Sequence, residues 1–229
     1  MSTLRREAGR AAAVAWKDLT AERRTKANFN SVVFLATLTL LLFGFALGPD
    51  AQALQAAGAG IVWLTVLFSG VLAFNRSYQL ELESGAFETL LLYPGDRRSI
   101  FVGKLVANLV FVLLVEVIVV PLAAVLFGLP VLGPFPGLAG VLLLGTIGFV
   151  TLGTFYASMA SRMRAREVLL PLLLFPMLVP VLLASVQSTK LLLGGDPMGN
   201  LASWLAMLIL FDLIFFIAAL LAFDYVIED

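Results

Sequence analysis

The chain has 229 residues, 61% of them hydrophobic and 13% charged, with a mean hydropathy of +1.01 and zero formal net charge. A soluble domain of this size exposes far more charge, so the bilayer is the expected solvent. With no cysteine and no histidine, disulfides, thiolate metal sites, zinc-peptidase chemistry, histidine acid–base catalysis and bis-histidine haem ligation are excluded.

Residues 3–27 come first and read as an amphipathic helix. Leu4, Ala8, Ala11, Ala12, Ala15 and Leu19 recur at helical spacing, near Trp16 and against Arg5, Arg6, Arg10, Lys17 and Arg24. Such a helix lies in the headgroup layer with its basic side on anionic lipid. It serves either as a retention and orientation signal or as an elbow that braces the first span and a cytoplasmic partner. Its length and basic run to Lys26 do not fit a cleaved signal sequence.

A bilayer core of about 30 Å needs roughly 20 apolar residues per helix. The windows free of charge are 27–49, 51–75 and 168–189, with 105–161 broken only by Glu116 and 197–223 broken only by Asp212. The 105–161 window is too long for one helix, and "GLPVLGPFPG" at 128–137 marks a turn inside it. The expectation is an all-α polytopic protein with six spans, at about 29–48, 56–75, 103–127, 137–161, 168–189 and 201–223. Domain organisation is then a leader at 1–27 and a membrane domain at 28–229, with a polar loop at 76–103.

Basic residues set the orientation. The leader, the loop after span two and the loop after span four carry all of them but Lys190. The positive-inside rule therefore predicts cytoplasmic termini and cytoplasmic basic loops. The opposite loops are too short to fold as a domain, so energised work would need a second chain.

The loop after span two holds "ELESGAFETLLLYPGDRRSIFVGK", residues 81–104. Its Gly-Lys ending is not a phosphate loop, because Gly95 lies eight residues before Gly103 and Leu105 takes the hydroxyl position. Read as structure, Ser84 or Gly85 opens a short helix with Glu88 near its positive end. Pro94-Gly95 ends it, and Asp96 or Ser99 caps the re-entry into span three. Phe87, Leu90 and Leu91 form an apolar ridge rimmed by Glu81, Glu83, Glu88, Asp96, Arg97 and Arg98. A ridge of this kind either docks in a partner's groove or rests on lipid.

Within the membrane, Glu116 and Asp212 must face protein or water, since a carboxylate at mid-depth costs about 3 kcal/mol on insertion scales. Each is either part of a polar lining or interhelical lock, or a neutral acid bonded to a neighbouring Ser or Thr. Span four offers Thr151, Thr154, Ser158 and Ser161 on one stripe beside Gly145, Gly148 and Gly153, for packing or for a path. In span five, Pro176 and Pro180 remove backbone bonds at depth and bend the helix, as a hinge or as a static kink. Met159, Met163, Met177, Met198 and Met207 offer weak thioether ligands, but they are scattered as packing residues are.

The segment "ESGAFETLLLYPGDRRSIFVGKLVANL" resembles the loop between the second and third spans of ABC-2 type exporter permeases. Together with "RMRAREVLLPLLLFPMLVPVLLASV" at 162–186 and "LFDLIFFIAALLAFDYVIED" at 210–229, it is similar to the CcmB family over essentially the whole chain. The acidic run departs from the family pattern, with Leu82 and Ser84 where an Arg and a further acid recur. The resemblance implies a bacterial inner-membrane permease whose coupling helix docks on an ABC ATPase. The residues carried over are Glu81, Glu83, Gly85, Phe87, Glu88, Leu91, Pro94, Asp96, Arg97 and Arg98. It further implies a homodimer, a CcmA-like ATPase holding ATP and magnesium, and CcmC-like and CcmD-like membrane partners. Haem is then the substrate of the complex, with no cofactor on this chain and no nucleic acid among its partners. Export of haem and release of a haem-loaded chaperone are both compatible with it. The rival expectation is an ABC-2 exporter for a lipid or drug.

Overall fold

The computed structural model describes residues 2–83, 96–161 and 166–228, with side-chain surroundings for 5–24, 26–75, 96–160 and 172–223. Seven helices and no strand occur among these residues: α1 (Ser2–Thr25), α2 (Ala27–Leu47), α3 (Ala51–Glu83), α4 (Arg98–Phe127), α5 (Phe135–Ser161), α6 (Arg166–Gly194) and α7 (Leu201–Glu228). Six of them contain stretches long and apolar enough to cross a membrane: Ala27–Leu47, Ala51–Asn75, Arg98–Phe127, Phe135–Ala160, Leu172–Gly194 and Leu201–Phe223. The chain is therefore a polytopic, all-α membrane protein.

Several helices overrun the charge-free windows that announce them. The α3 helix continues through Arg76 to Glu83, and α6 reaches Gly194, so Lys190 is helical rather than in a loop. A helix leaves hydrocarbon without unwinding, because its backbone bonds are internal; hydropathy marks the bilayer, not the helix end.

Helix ends are set by local chemistry instead. Asp50 accepts the backbone N–H of Gln52 at 2.9 Å and of Ala53 at 3.2 Å, capping α3. Gly128, at φ 64°, closes α4 in the left-handed conformation, where a side chain is strained. Between α1 and α2 the break is one residue, Lys26, at φ 52°. The Glu22 carboxylate of α1 bridges that break by accepting the Phe29 N–H at 2.8 Å.

The core sits on α3 and α5. The α3 helix packs on α2, α4, α5 and α6, and α5 packs on α3, α4, α6 and α7. Their seam is reciprocal: Gly70 of α3 seats the Phe149 ring of α5, while Gly153 of α5 seats the Phe74 ring of α3. The two rings meet at 5.1 Å between centroids. Lipid tails are as apolar as Leu, so close fit rather than water exclusion holds such a seam. One turn from it, Trp63 fills a space beside Gly145 and donates its indole N–H to Thr189 Oγ1 at 3.0 Å. By contrast, α2 and α7 present broad apolar surfaces outward, including Phe34, Phe45, Leu210 and Leu213.

Asp196 caps α7 by accepting the N–H groups of Leu201 at 2.8 Å and Asn200 at 2.9 Å. These bonds, Leu201's foremost, hold its carboxyl below the usual carboxylate range. A depressed folded-state value means the cap is complete above the unfolded value of about 3.9 and is lost as pH falls through the lower folded value. Hydrogen exchange will therefore show Asn200 and Leu201 still protected at the ordinary carboxylate value of about 3.9 and released only at lower pH. In Asp196→Ala the protection is low at every pH; wild-type protection in that variant would reject the cap.

Candidate transmission site

The sequence places its expected docking residues in the polar segment after α3, and the flanks of that segment belong to the described residues. Gly85, Phe87, Glu88, Leu91 and Pro94, with the rest of 84–95, lie outside the described residues. Glu81 and Glu83 belong to the last turn of α3 as backbone, their side-chain surroundings being outside the description. Asp96 caps α4 as the sequence suggests: its Oδ1 accepts the Arg98 N–H at 2.9 Å and its carbonyl accepts the Ser99 hydroxyl at 2.7 Å. Arg97 and Arg98 stand at the entry to α4.

The first turns of α4 then run under α1. A methyl group at Gly103 would come within 2.6 Å of the Ala11 carbonyl oxygen and 2.7 Å of Val14 Cβ, so only glycine lets the helices approach this closely. Beside it Lys104 is fully buried, with Nζ 3.3 Å from Asp18 Oδ2 of α1. The other Asp18 oxygen meets Lys17 at 3.1 Å. The P-loop-like Gly-Lys is thus a helix-packing device: the glycine admits α1 and the lysine grips it.

This corrects part of the face assigned to α1: Ala15 is buried and Ala11 and Leu19 are partly covered as expected, but Ala8 and Ala12 are not. Val14 and Ala15 are buried, and Glu7, Ala11, Asp18 and Glu22 share their side, whereas Ala8, Ala12 and Trp16 are exposed. Alanine carries too little transfer energy to orient a helix against a buried ion pair and a helix-end hydrogen bond. Asp18 and Glu22 decide the rotation, and they tie α1 to α4 and α2 respectively.

Deeper in the membrane, Glu116 is buried and accepts the hydroxyl proton of Thr146 on α5. Thr146 lies outside the stripe that the sequence singled out. Within the stripe, Thr154 accepts the amide N–H of Asn108 at 2.9 Å, joining α4 to α5 a second time. Ser158 turns back to the Phe155 carbonyl at 2.6 Å, and the buried Thr151 hydroxyl has no hydrogen-bond partner among the described residues. Asp212 is buried against Gly148, and neither of its oxygens is bonded to a described residue. Glu116 and Asp212 therefore occupy separate places, one on the α4–α5 seam and one between α5 and α7. Pro176 and Pro180 lie within an unbroken α6.

The sequence reading missed Asp18, Lys104, Asn108 and Thr146. Asn108, an amide inside a span, was the one visible signal, since a polar side chain there seeks a partner across a seam.

The profile of the family described as "CcmB protein" matches residues 10–228. The chain belongs to the CcmB family. Similar proteins named "Heme exporter protein B" occur in Pseudomonas aeruginosa, at 32% identity over 81% of this chain and 82% of that protein, and in Rhodobacter capsulatus, at 35% over 69% and 71%. A third, from Paracoccus denitrificans, is 30% identical over 80% of this chain and 84% of its own length. The match takes in α4 whole and nearly all of α1's docked face, so the Gly103–Lys104 contact lies inside the family region.

Two substitutions test these contacts. Asp18→Leu takes the carboxylate from a fully buried ammonium and will cost about 3 kcal/mol of stability in detergent unfolding. Lys104→Met will cost less, and the double variant will recover much of the loss; strict additivity would dissolve the pair. Glu116→Gln keeps an oxygen to accept from Thr146 and will insert and assemble as wild type in membrane pull-downs. Loss of function in a stably inserted Gln variant would assign the carboxylate a charged role.

Proposed function

We propose that this chain is the membrane subunit of an ATP-driven complex that delivers haem for c-type cytochrome biogenesis in the bacterial inner membrane. The observation that carries this reading is the CcmB match over residues 10–228, joined to relatives named as haem exporters. Two copies pair, and each receives a CcmA-like ATPase, which holds ATP and magnesium, through residues 84–98. CcmC-like and CcmD-like membrane subunits complete the assembly. The chain itself performs no chemistry; its termini and basic loops face the cytoplasm, where the positive-inside rule puts them.

The mechanism follows from which parts are stiff. In the chain, residues 84–97 join α3 to α4, two long continuous helices, and α4 is gripped by α1 at Gly103 and Lys104. A push on the segment is therefore passed to α3 and α4 as bodies and, through Asp18 and Glu22, shared with α1 and α2. Pro176 and Pro180 supply compliance in α6, because each lacks the N–H that would close a turn. Within one copy, Trp63, Phe74 and Phe149 fill the space between α3 and α5. That filling favours two routes: passage between copies, or no passage at all, with the motion releasing a haem-loaded chaperone.

The deciding test is a pull-down from native membranes with Glu88→Lys combined with Arg97→Glu. ATPase recovery will fall to background while insertion is unchanged, and haem absorbance will persist in whatever haem-handling subunit is retained. Undiminished ATPase recovery would reject residues 84–98 as the docking site. Recovery of an ATPase with no haem-handling subunit, from wild type, would replace haem delivery with export of another amphiphile.

A further inference from the structure

At the end of the bundle opposite the α1–α4 contact, a cavity of about 470 Å³ lies between the start of α3, the α4–α5 connection and the end of α6. Its size falls within the roughly 300–1,000 Å³ of small-molecule sites. Its floor is apolar, with Ala59 and Leu129 buried and Leu193 beside them; its rim is polar, made of Gln52, Gln55 and Lys190.

The charged residues of this end are Asp50, Lys190 and Asp196, and only Lys190 lines the cavity. Lys190 is the one basic residue of the chain outside the leader and the two basic loops. The acids of the neighbouring turns are already engaged: Asp50 accepts the first N–H groups of α3, and Asp196 accepts those of α7. Lys190 makes no salt bridge with a described residue. Gln55 spends one amide N–H on the Gly128 carbonyl at 3.1 Å, which holds the side chain at the rim.

We propose that this cavity binds an amphiphile with an anionic head, a carboxylate or a phosphate. The head meets the Lys190 ammonium and the rim amides, and the apolar body lies along Leu129 and Leu193. A single cation with neutral amide donors suits an oxyanion, and an aliphatic floor suits a hydrocarbon or macrocyclic body rather than a free ion. The proposal stands apart from ATPase docking, since it concerns the other end of the bundle and is read on the full chain alone.

Two arms distinguish the sources of such a head. In the first, the full chain is reconstituted in nanodiscs of mixed phosphatidylglycerol and phosphatidylcholine, and native mass spectrometry counts the lipid retained. In the second, haem, a dicarboxylate, and its dimethyl ester are titrated against tryptophan fluorescence, Trp63 being bonded to Thr189 beside Lys190. The expected result is preferential retention of phosphatidylglycerol, or binding of haem over its ester. Either preference will weaken about tenfold in Lys190→Gln, the worth of one charge-assisted hydrogen bond, and return in Lys190→Arg. Ala56→Phe, placed at an exposed position on the cavity wall, will block binding with helicity unchanged by circular dichroism. Equal binding of charged and neutral forms, or binding indifferent to both Lys190→Gln and Ala56→Phe, overturns the proposal.

Discussion

The reciprocal seating of Phe149 on Gly70 and Phe74 on Gly153 is the contact on which the rest of the bundle depends. In hydrocarbon, apolar side chains gain little from touching each other rather than lipid, so two helices stay together only where they fit closely. The exchange of ring for missing side chain in both directions sets the spacing and the register of α3 against α5. Because these two helices each touch four others, an error there propagates to every other span. Peripheral α2 and α7 need no such fit over most of their surface, and they expose Phe and Leu freely.

Polar contacts then add direction to the packing. Asn108 with Thr154 and Thr146 with Glu116 join α4 to α5 at two depths, and Trp63 with Thr189 joins α3 to α6. Each pair has a partner only in one register, so the set discriminates against slipped arrangements that dispersion alone would tolerate. None of these groups forms a continuous charged lining; they read as bolts between helices. Interhelical contacts of this kind accord with the proposed transmission of force through α3 and α4.

The two ends of the bundle are built differently. At the end that carries α1, an ion pair and a helix-end carboxylate bind a surface helix to two spans, so a load on one is shared. At the other, aspartates are consumed in capping and a lone lysine stands over an apolar floor. In the proposed function the first end takes up motion from a protein, and in the proposed cavity the second meets an anionic amphiphile. That polarity fits a subunit which receives work on one side of the membrane and acts on an amphiphile at the other.

The sequence by itself determined what the solvent demands: an all-helical chain, six apolar stretches, the turn at 128–137, and a polar segment isolated between spans. It also exposed Asp96 as a cap, since capping is a transaction among residues a few positions apart. Tertiary structure alone decided which face of α1 is inward, because Asp18 meets Lys104 across 86 positions. It decided likewise that Glu116 pairs with Thr146 rather than with the neighbouring hydroxyl stripe, and that Gly103 admits a helix instead of cradling a phosphate. Hydropathy is a property of each segment against lipid and is legible one window at a time. Which small residue faces which ring is a property of two segments at once, and no single window contains it.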